Sequence, residues 1–279
     1  MYVALPHNQH REFTVRAARA GIHVLCDKPM AVDVEECVAM RDACRATAVK
    51  LMIGYRTEFD EAHQRARELV RSGRLGETRL FHAAFGLGAP LAPAGRSEGD
   101  ANTTSLLEFG IDGIHVARRL FAAEPVEVAA MGIRARRESR FGESEDAIAA
   151  MLRFPGDRVA TLTGARHTAE ASHFEVWGTE GSLRLEQAFG MARPMSLRAS
   201  VKGRTREKAF RRREPWALQL VHFSDCILGD REPLGSADEG VRDVRVVEAL
   251  REALRTGGTV SLPTPTVPAR EGKRATPTS

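Results

Sequence analysis

The sequence contains few of the residues that mark secreted, membrane-spanning or metal-binding proteins. Among its 279 residues are only four cysteines, at positions 26, 37, 44 and 226, with no C-x-x-C pair and no histidine at zinc-site spacing. We therefore expect neither a disulfide framework nor a metal site, and free thiols are typical of a reducing compartment. No apolar run approaches the roughly 20 residues that cross a membrane, and the N-terminus shows no signal-peptide pattern. The sequence predicts a cytoplasmic protein without a membrane partner.

Aromatic residues are also few, and neither sign of charge is in large excess. Aromatic residues make up 6% of the chain, so the core must depend on aliphatic side chains. The formal net charge is only +4, from 41 basic and 37 acidic residues that are interspersed. The one dense basic run, 211–213, has no aromatic residues among it and is predicted to be a solvated loop. Nucleic acid is therefore not an expected partner, whereas a small anionic ligand is compatible with this charge.

The most informative stretch is residues 21–29, in which a short apolar strand ends in Asp27, Lys28 and Pro29. Proline cannot donate to a sheet and biases the preceding residue toward an extended backbone, so the strand ends here with Lys28 directed beyond the sheet. Ligands of open α/β sheets bind at that carboxyl-terminal edge. A lysine in this position can exchange a proton with a substrate oxygen, although an isolated D-K-P tripeptide is more often a solvated strand end.

The first 75 residues alternate strands and helices. The strands are predicted at 1–5, 22–26 and 50–54, and the helices at 10–20, 33–47 and 58–72. Asn8 and Asp33 are predicted to cap the first two helices, and Gly21 and Gly73 to end the first and third. Strand–helix–strand units of this length are right-handed parallel crossovers, so we expect a partial Rossmann-type parallel sheet.

From residue 76 onward the pattern changes to one of mostly antiparallel strands. Strands are predicted at 77–87, 126–135, 147–154, 158–164, 172–178 and 181–186, and helices at 105–121, 216–228 and 237–255. The loop 88–103 is predicted to be mobile. The predicted fold class is α/β plus α+β, with a nucleotide-domain half at 1–75, an α+β domain with a large sheet at 76–262, and a disordered tail at 263–279.

Several motifs in a fixed order resemble the Gfo/Idh/MocA oxidoreductase family, in particular its glucose-fructose oxidoreductase branch. The run G-I-H-V-L-C-D-K-P resembles the family's EKP segment, with Asp27 in place of the usual Glu. The other segments that carry the resemblance are 6–10, 53–56, 71–76, 177–183 and 257–263. The resemblance implies a nicotinamide cofactor, NAD or NADP, and hydride transfer to or from a sugar, polyol or related alcohol. It also implies that Lys28 hydrogen-bonds the reacting oxygen and acts as acid or base.

The resemblance further implies a catalytic partner on the helix that begins the second domain. In this chain Glu108 lies where relatives have Asp, Asp112 where they have His or Tyr, and His115 where Asp or Asn is common. These three side chains share one face of a helix because they are four and three residues apart. We expect Asp112, Glu108 and His115 to assist Lys28; the alternative is an ordinary acid–histidine pair on a solvated face.

By the same resemblance, residues at or just after the strand ends contact the cofactor. These are Pro6, Asn8, His10, Asp27, Lys28, Pro29, Tyr55 and Arg56. The glycine-rich fingerprint G-x-G-x-x-G that holds the cofactor's pyrophosphate does not occur before a helix anywhere in the chain. Binding by this chain alone is therefore doubtful. Two readings stay open: an internal start within a longer oxidoreductase, or a truncated and inactive member that acts as a sheet-mediated interaction or ligand-binding module.

The side-chain pattern of the large sheet bears on whether the chain associates with copies of itself. Relatives pair through the open face of this sheet, and strand 147–154 alternates two sets of side chains. Ala147, Ala149 and Met151 lie on one face and Ile148, Ala150, Leu152 and Phe154 on the other. One face must cover the domain's helices, and the other is apolar enough to disfavour exposure. The sequence therefore predicts a homodimer or a higher homo-oligomer.

Overall fold

The computed structural model describes residues 1–86, 110–134, 145–166, 168–190, 193–211 and 214–263. The strands are β1 Tyr2–Val3, β2 Val24–Cys26, β3 Leu51–Ile53, β4 Thr78–Gly86, β5 Glu127–Arg134, β6 Glu145–Phe154, β7 Arg158–Ala165, β8 Ala171–Gly178, β9 Gly181–Glu186, β10 Met195–Val201, β11 Arg204–Phe210 and β12 Val260–Ser261. The helices are α1 His10–Arg19, α2 Val34–Ala46, α3 Glu61–Arg71, α4 Ile111–Phe121, α5 Pro215–Leu228 and α6 Ala237–Thr256.

The first three strands form a small parallel sheet in the order β1-β2-β3. Its strands are short and apolar, and β2 and β3 are buried along their whole length, which is typical of a sheet covered on both faces. Helices α1, α2 and α6 pack on one face, and α5 packs on the other through Phe223 against Leu25 and Met52. The predicted partial Rossmann-type sheet is confirmed.

The predicted helix caps and starts in the first 75 residues are confirmed in part. Asp33 caps α2 as expected, because its carboxylate accepts from the Glu36 amide at 2.8 Å. The prediction that Asn8 caps α1 is wrong: Asn8 lies within a 3₁₀ turn at His7–Gln9, and α1 begins at His10 without a side-chain cap. A second 3₁₀ turn, Arg56–Glu58, occupies the predicted start of α3, so that helix begins at Glu61.

The second sheet has nine strands in the order β11-β10-β9-β8-β4-β7-β6-β5-β12, and all neighbours are antiparallel except β4 and β7. The predicted α/β plus α+β class is therefore confirmed. Strands β10 and β11 were not predicted, because β11 is rich in charged residues and is exposed along all but its last residue. They extend the sheet as a hairpin beyond β9.

One face of the large sheet is buried, mainly by α4 and α6. The buried side chains of β6 are Ile148, Ala150, Leu152 and Phe154. The opposite face carries exposed apolar side chains, with Met131 80%, Ile133 69% and Met151 48% exposed. The predicted loop 88–103, the first residues of the predicted helix 105–121 and the tail beyond 263 lie outside the described residues. None of the helices in the described ranges is both long and apolar enough to span a bilayer.

Candidate active site

The small sheet and α4 bring Lys28 and Asp112 together. Lys28 follows directly after β2, so it lies at the carboxyl-terminal edge of the parallel sheet, as predicted. Asp112 is in the first turn of α4, where a carboxylate is favoured by the helix dipole. The Lys28 Nζ lies 2.9 Å from Asp112 Oδ2, and the two side chains are 26% and 13% exposed. The pair is thus partly shielded but accessible to a small ligand.

The charge of Asp112 is set by this pair. Burial by itself raises the pKa of a carboxyl group, but Lys28, with smaller contributions from Arg56 and His115, outweighs it and lowers the pKa of Asp112. Asp112 is therefore an anion at neutral pH. An anion at this distance fixes the position of the Lys28 ammonium group, which is the group that can face a substrate oxygen.

The predicted cofactor residues near β1 and β2 differ in accessibility. Pro6 and Asn8 are exposed, and Asp27 is half-buried with its Oδ1 accepting from the Lys28 amide at 2.9 Å. His10 is fully buried, and its ring nitrogens reach the carbonyl oxygens of Leu5 at 2.8 Å and Pro29 at 3.0 Å. His10 therefore ties two strand-end loops together and is not presented to a ligand. Pro29 is also buried, after a cis peptide bond.

The two residues after β3 likewise point away from an open edge. Tyr55 is fully buried and its ring stacks on His115, with 3.8 Å between ring centroids and 4° between planes. Arg56 donates to the carbonyl oxygens of Phe189 at 2.9 Å and Gly190 at 3.3 Å, in the loop after β9. The structure thus directs Arg56 toward the second domain, and it does not place Tyr55 where a cofactor can contact it.

His115 lies in a buried ion network instead of beside Lys28. Its Nδ1 is 2.8 Å from Asp243 on α6, and its Nε2 is 2.9 Å from Glu58 in the turn after β3. Burial alone lowers the pKa of an imidazole, but the two carboxylates outweigh it and raise the pKa of His115 to about 9. Both ring nitrogens are already engaged, so the structure gives His115 a role in joining three elements. Glu108, the third predicted member, lies outside the described residues.

Sequence reasoning missed the partners of this network. Asp243 also accepts from Arg118, and Glu58 also accepts from Arg67 and from Arg119. Glu58 and Asp243 are separated from His115 by 57 and 128 residues, so no local spacing relates them. The only local signal was a run of charged residues on otherwise apolar helices.

A cleft opens near the Lys28–Asp112 pair, which does not itself line it. The cleft lies between the start of α3, the loop before β10 and the start of α5. Its lining includes Arg56, Asp60, Arg193, Phe210 and Trp216. Arg56, which lines the cleft, also helps to lower the pKa of Asp112.

Comparisons with known proteins agree with this fold. Residues 1–55 match a family model described as an oxidoreductase family with an NAD-binding Rossmann fold, and residues 63–184 match the GFO/IDH/MocA C-terminal domain. The NADP(+)-dependent D-xylose 1-dehydrogenase of Haloarcula marismortui is 30% identical over 268 residues, which are 94% of this chain and 74% of that protein. The 1,5-anhydro-D-fructose reductase of Ensifer adhaerens is 28% identical over 272 residues, 95% of this chain and 80% of that protein.

One solved structure is similar to the chain in both fold and sequence. The aldose-aldose oxidoreductase from Caulobacter crescentus, crystallised with glycerol, superimposes with a TM-score of 0.87 and 38% identity. The match covers 94% of this chain and 78% of that protein.

Proposed function

Because this chain belongs to the Gfo/Idh/MocA family of oxidoreductases, we propose that it transfers hydride between NAD(P) and a sugar, polyol or related alcohol or carbonyl compound. The observation that carries the proposal is the Lys28–Asp112 pair, 2.9 Å apart at the carboxyl-terminal edge of the parallel sheet. A sugar is the proposed substrate because the relatives' names include a xylose dehydrogenase, an anhydrofructose reductase and an aldose-aldose oxidoreductase.

The proposed mechanism assigns one role to each member of the pair. When bound, the nicotinamide cofactor supplies or accepts the hydride. As a carbonyl is reduced its oxygen gains negative charge, which the Lys28 ammonium stabilises before it gives a proton to that oxygen. In the oxidative direction Lys28 takes the hydroxyl proton. Asp112 holds the Lys28 nitrogen in place and keeps its charge balanced when the substrate excludes water.

The residues that the structure presents fit only part of the cofactor. Pro6, Asn8, Asp27 and Lys28 leave the edge of the small sheet open and offer polar groups to a nicotinamide amide and a ribose. No glycine-rich turn at a helix N-terminus lies on this edge among the described residues, so no pyrophosphate cradle accompanies them. These residues therefore hold the reacting end of the cofactor and leave its phosphates weakly bound.

We accordingly expect these 279 residues to bind NADH and NADPH weakly, with a dissociation constant well above micromolar. The reason is that backbone amides at a helix N-terminus supply the most directional contacts to a pyrophosphate. Calorimetric titration of the purified chain with each dinucleotide measures this directly. Micromolar or tighter binding would show that another segment supplies the phosphate contacts.

The proposed activity is tested by initial rates of cofactor reduction with D-xylose, D-glucose and a polyol, at cofactor concentrations high enough to offset weak binding. We expect turnover with at least one aldose and none with a matched deoxy sugar that lacks the reacting hydroxyl. Absence of turnover with every sugar, at saturating cofactor, would contradict the proposed function.

We also propose that the protein is a cytoplasmic homo-oligomer, at least a dimer, that associates through the open face of the large sheet. A row of exposed apolar side chains on that face, Met131, Ile133 and Met151, supports this interface. Four buried, unpaired cysteines suit a reducing compartment.

The interface predicts a specific effect of charge. Replacing both Met131 and Met151 by Asp should convert the dimer to a monomer, because two buried carboxylates would face their symmetry copies. Light scattering gives the mass. The protein concentration should be roughly tens of micromolar, which is above common dimer dissociation constants. Leu228→Asp is the matched control, since Leu228 is 87% exposed on α5 and lies away from this sheet. A dimer that withstands the double substitution would place the interface elsewhere.

A further inference from the structure

The cleft beside Lys28 contains a carboxylate that the catalytic pair does not use. Asp60 precedes α3 at the position where a side chain commonly caps a helix, yet its carboxylate makes no capping hydrogen bond. Its Oδ2 is buried, lies 3.6 Å from Arg56 Nη1 and 3.8 Å from His63 Nδ1, and has no hydrogen-bond partner among the described residues. Asp60 is therefore held in place by charge and packing while its hydrogen-bonding capacity stays unused.

The side chain of Asp60 is positioned to meet a ligand. It lines the cleft and is 13% exposed, and since Oδ2 is buried, Oδ1 is the oxygen that a ligand can reach. A hydroxyl group can donate to Oδ1 in place of water, and Arg56 already holds the carboxylate in position. Unlike an ammonium group, a hydroxyl does not compete with Arg56 for the charge of Asp60.

The rest of the lining suits a ring with one apolar face. Trp216, at the start of α5, is 38% exposed and lines the same cleft, together with Phe210 and Met195. A pocket of apolar walls with a few placed polar groups is the common form of a small-molecule site. A sugar matches it, because the C–H groups of the ring can pack on an aromatic side chain while the hydroxyls bond polar groups.

Charged groups of the cleft also interact with the Lys28–Asp112 pair. Burial raises the pKa of Asp60, Arg56 opposes that rise, and the negative charge of Asp112 adds to it. Arg56 likewise lowers the pKa of Asp112. Arg56, which lies 3.6 Å from Asp60 and acts on Asp112, is thus the side chain between the cleft and the reacting pair.

We propose that Asp60 is a specificity-determining residue, which accepts a hydrogen bond from a hydroxyl of a neutral sugar bound in the cleft lined by Trp216. The inference rests on the proposed function in that this sugar is the substrate. Asp60 disfavours a second carboxylate in the cleft, whereas Arg56 and Arg193 in the same lining favour one, so loss of the Asp60 charge should shift the preference toward sugar acids.

Calorimetric titration without cofactor tests this proposal, with D-xylose, D-glucose and the anionic D-glucuronate as probes. Asp60→Asn keeps the shape and removes the charge, and we expect it to weaken the binding of both neutral aldoses about tenfold, as loss of a charge-assisted hydrogen bond implies. In turnover assays KM should rise by the same factor while kcat changes little. Asp60→Asn should raise the affinity for glucuronate relative to glucose, compared with the native protein.

Glu68→Gln is the matched control, because the Glu68 carboxylate on α3 pairs with Arg65, is 66% exposed and does not line the cleft. It should leave aldose binding unchanged. Trp216→Leu replaces an exposed side chain and should not impair folding. It should weaken the binding of every sugar tested. Unchanged aldose binding in Asp60→Asn, no gain in affinity for glucuronate relative to glucose in that variant, or no aldose binding to the native protein would each overturn the proposal. Asp60-dependent binding without any turnover would instead contradict the proposed function and leave this site standing.

Discussion

Replacement of Lys28 by methionine is expected to reduce turnover by on the order of 10²-fold or more at saturating cofactor and sugar, as loss of a positioned acid or base implies. Methionine keeps the length of the side chain and removes the ammonium group that stabilises charge on the reacting oxygen. Sugar binding measured by calorimetry should change far less, since the cleft at Asp60 and Trp216 is intact. Initial rates and calorimetry on the same protein separate the two effects.

The substitution also leaves Asp112 without its partner, and this requires its own variant. The carboxylate is only 13% exposed, so its pKa should rise and the protein should lose some stability. Lys28→Met combined with Asp112→Asn removes both charges, and we expect it to restore the melting temperature but not the turnover. Recovery of turnover in the double variant would show that Lys28→Met had acted only through the fold.

Lys50→Met is the matched control. Lys50 also pairs with a carboxylate, Asp230 at 2.6 Å, but it precedes β3 and so lies at the opposite edge of the parallel sheet from Lys28. Its replacement should leave turnover unchanged. Near-normal turnover in Lys28→Met with cofactor present, or an equal loss in Lys50→Met, would refute the assignment of Lys28.

The features that sequence predicted correctly are those set by local chemistry. A proline that ends a strand places Lys28 at the sheet edge whatever the rest of the chain does. Asp33 caps α2 because its side chain and the Glu36 amide are neighbours in sequence. The parallel order of β1, β2 and β3 follows from the short crossovers between them. Asp112 near Lys28 came from a resemblance in motif order, and the ion pair agrees with it.

The features that sequence did not predict depend on contacts between distant segments. Spacing places His115 and Asp112 on one face of α4, but the width of that face allows Asp112 to meet Lys28 while His115 turns into the core. That choice is made by Asp243 on α6, which lies 128 residues away. His10 and Tyr55 were placed at the cofactor edge because they follow strands, yet carbonyl groups and a stacked imidazole hold them inside.

Replacement of His115 by glutamine is expected to destabilise the protein most below about pH 6.5 and progressively less as the pH rises toward 9. The pKa of His115 is raised from an unfolded value near 6.5 to about 9 in the fold, because the carboxylates of Asp243 and Glu58 outweigh burial. A raised pKa contributes stability that is complete below the unfolded pKa and is lost as pH increases through the folded one. The pH-dependent part is on the order of 3 kcal/mol.

Urea unfolding of the native protein and of His115→Gln between pH 6.5 and 9 measures the difference. The buried thiols of Cys26 and Cys37, whose pKa burial raises, contribute equally to both proteins. His115 helps to lower the pKa of Glu58 and of Asp243, so its loss changes their titration as well, but this effect lies in acid, below the range compared. His173→Gln is the control, because burial lowers the pKa of His173 and its effect therefore lies below pH 6.5. A loss of stability in His115→Gln that is constant up to pH 9 would mean that His115 is neutral in the fold. A loss that fades would show that a buried imidazolium joins α4, α6 and the turn after β3, and so helps to hold the helix that carries Asp112 against Lys28.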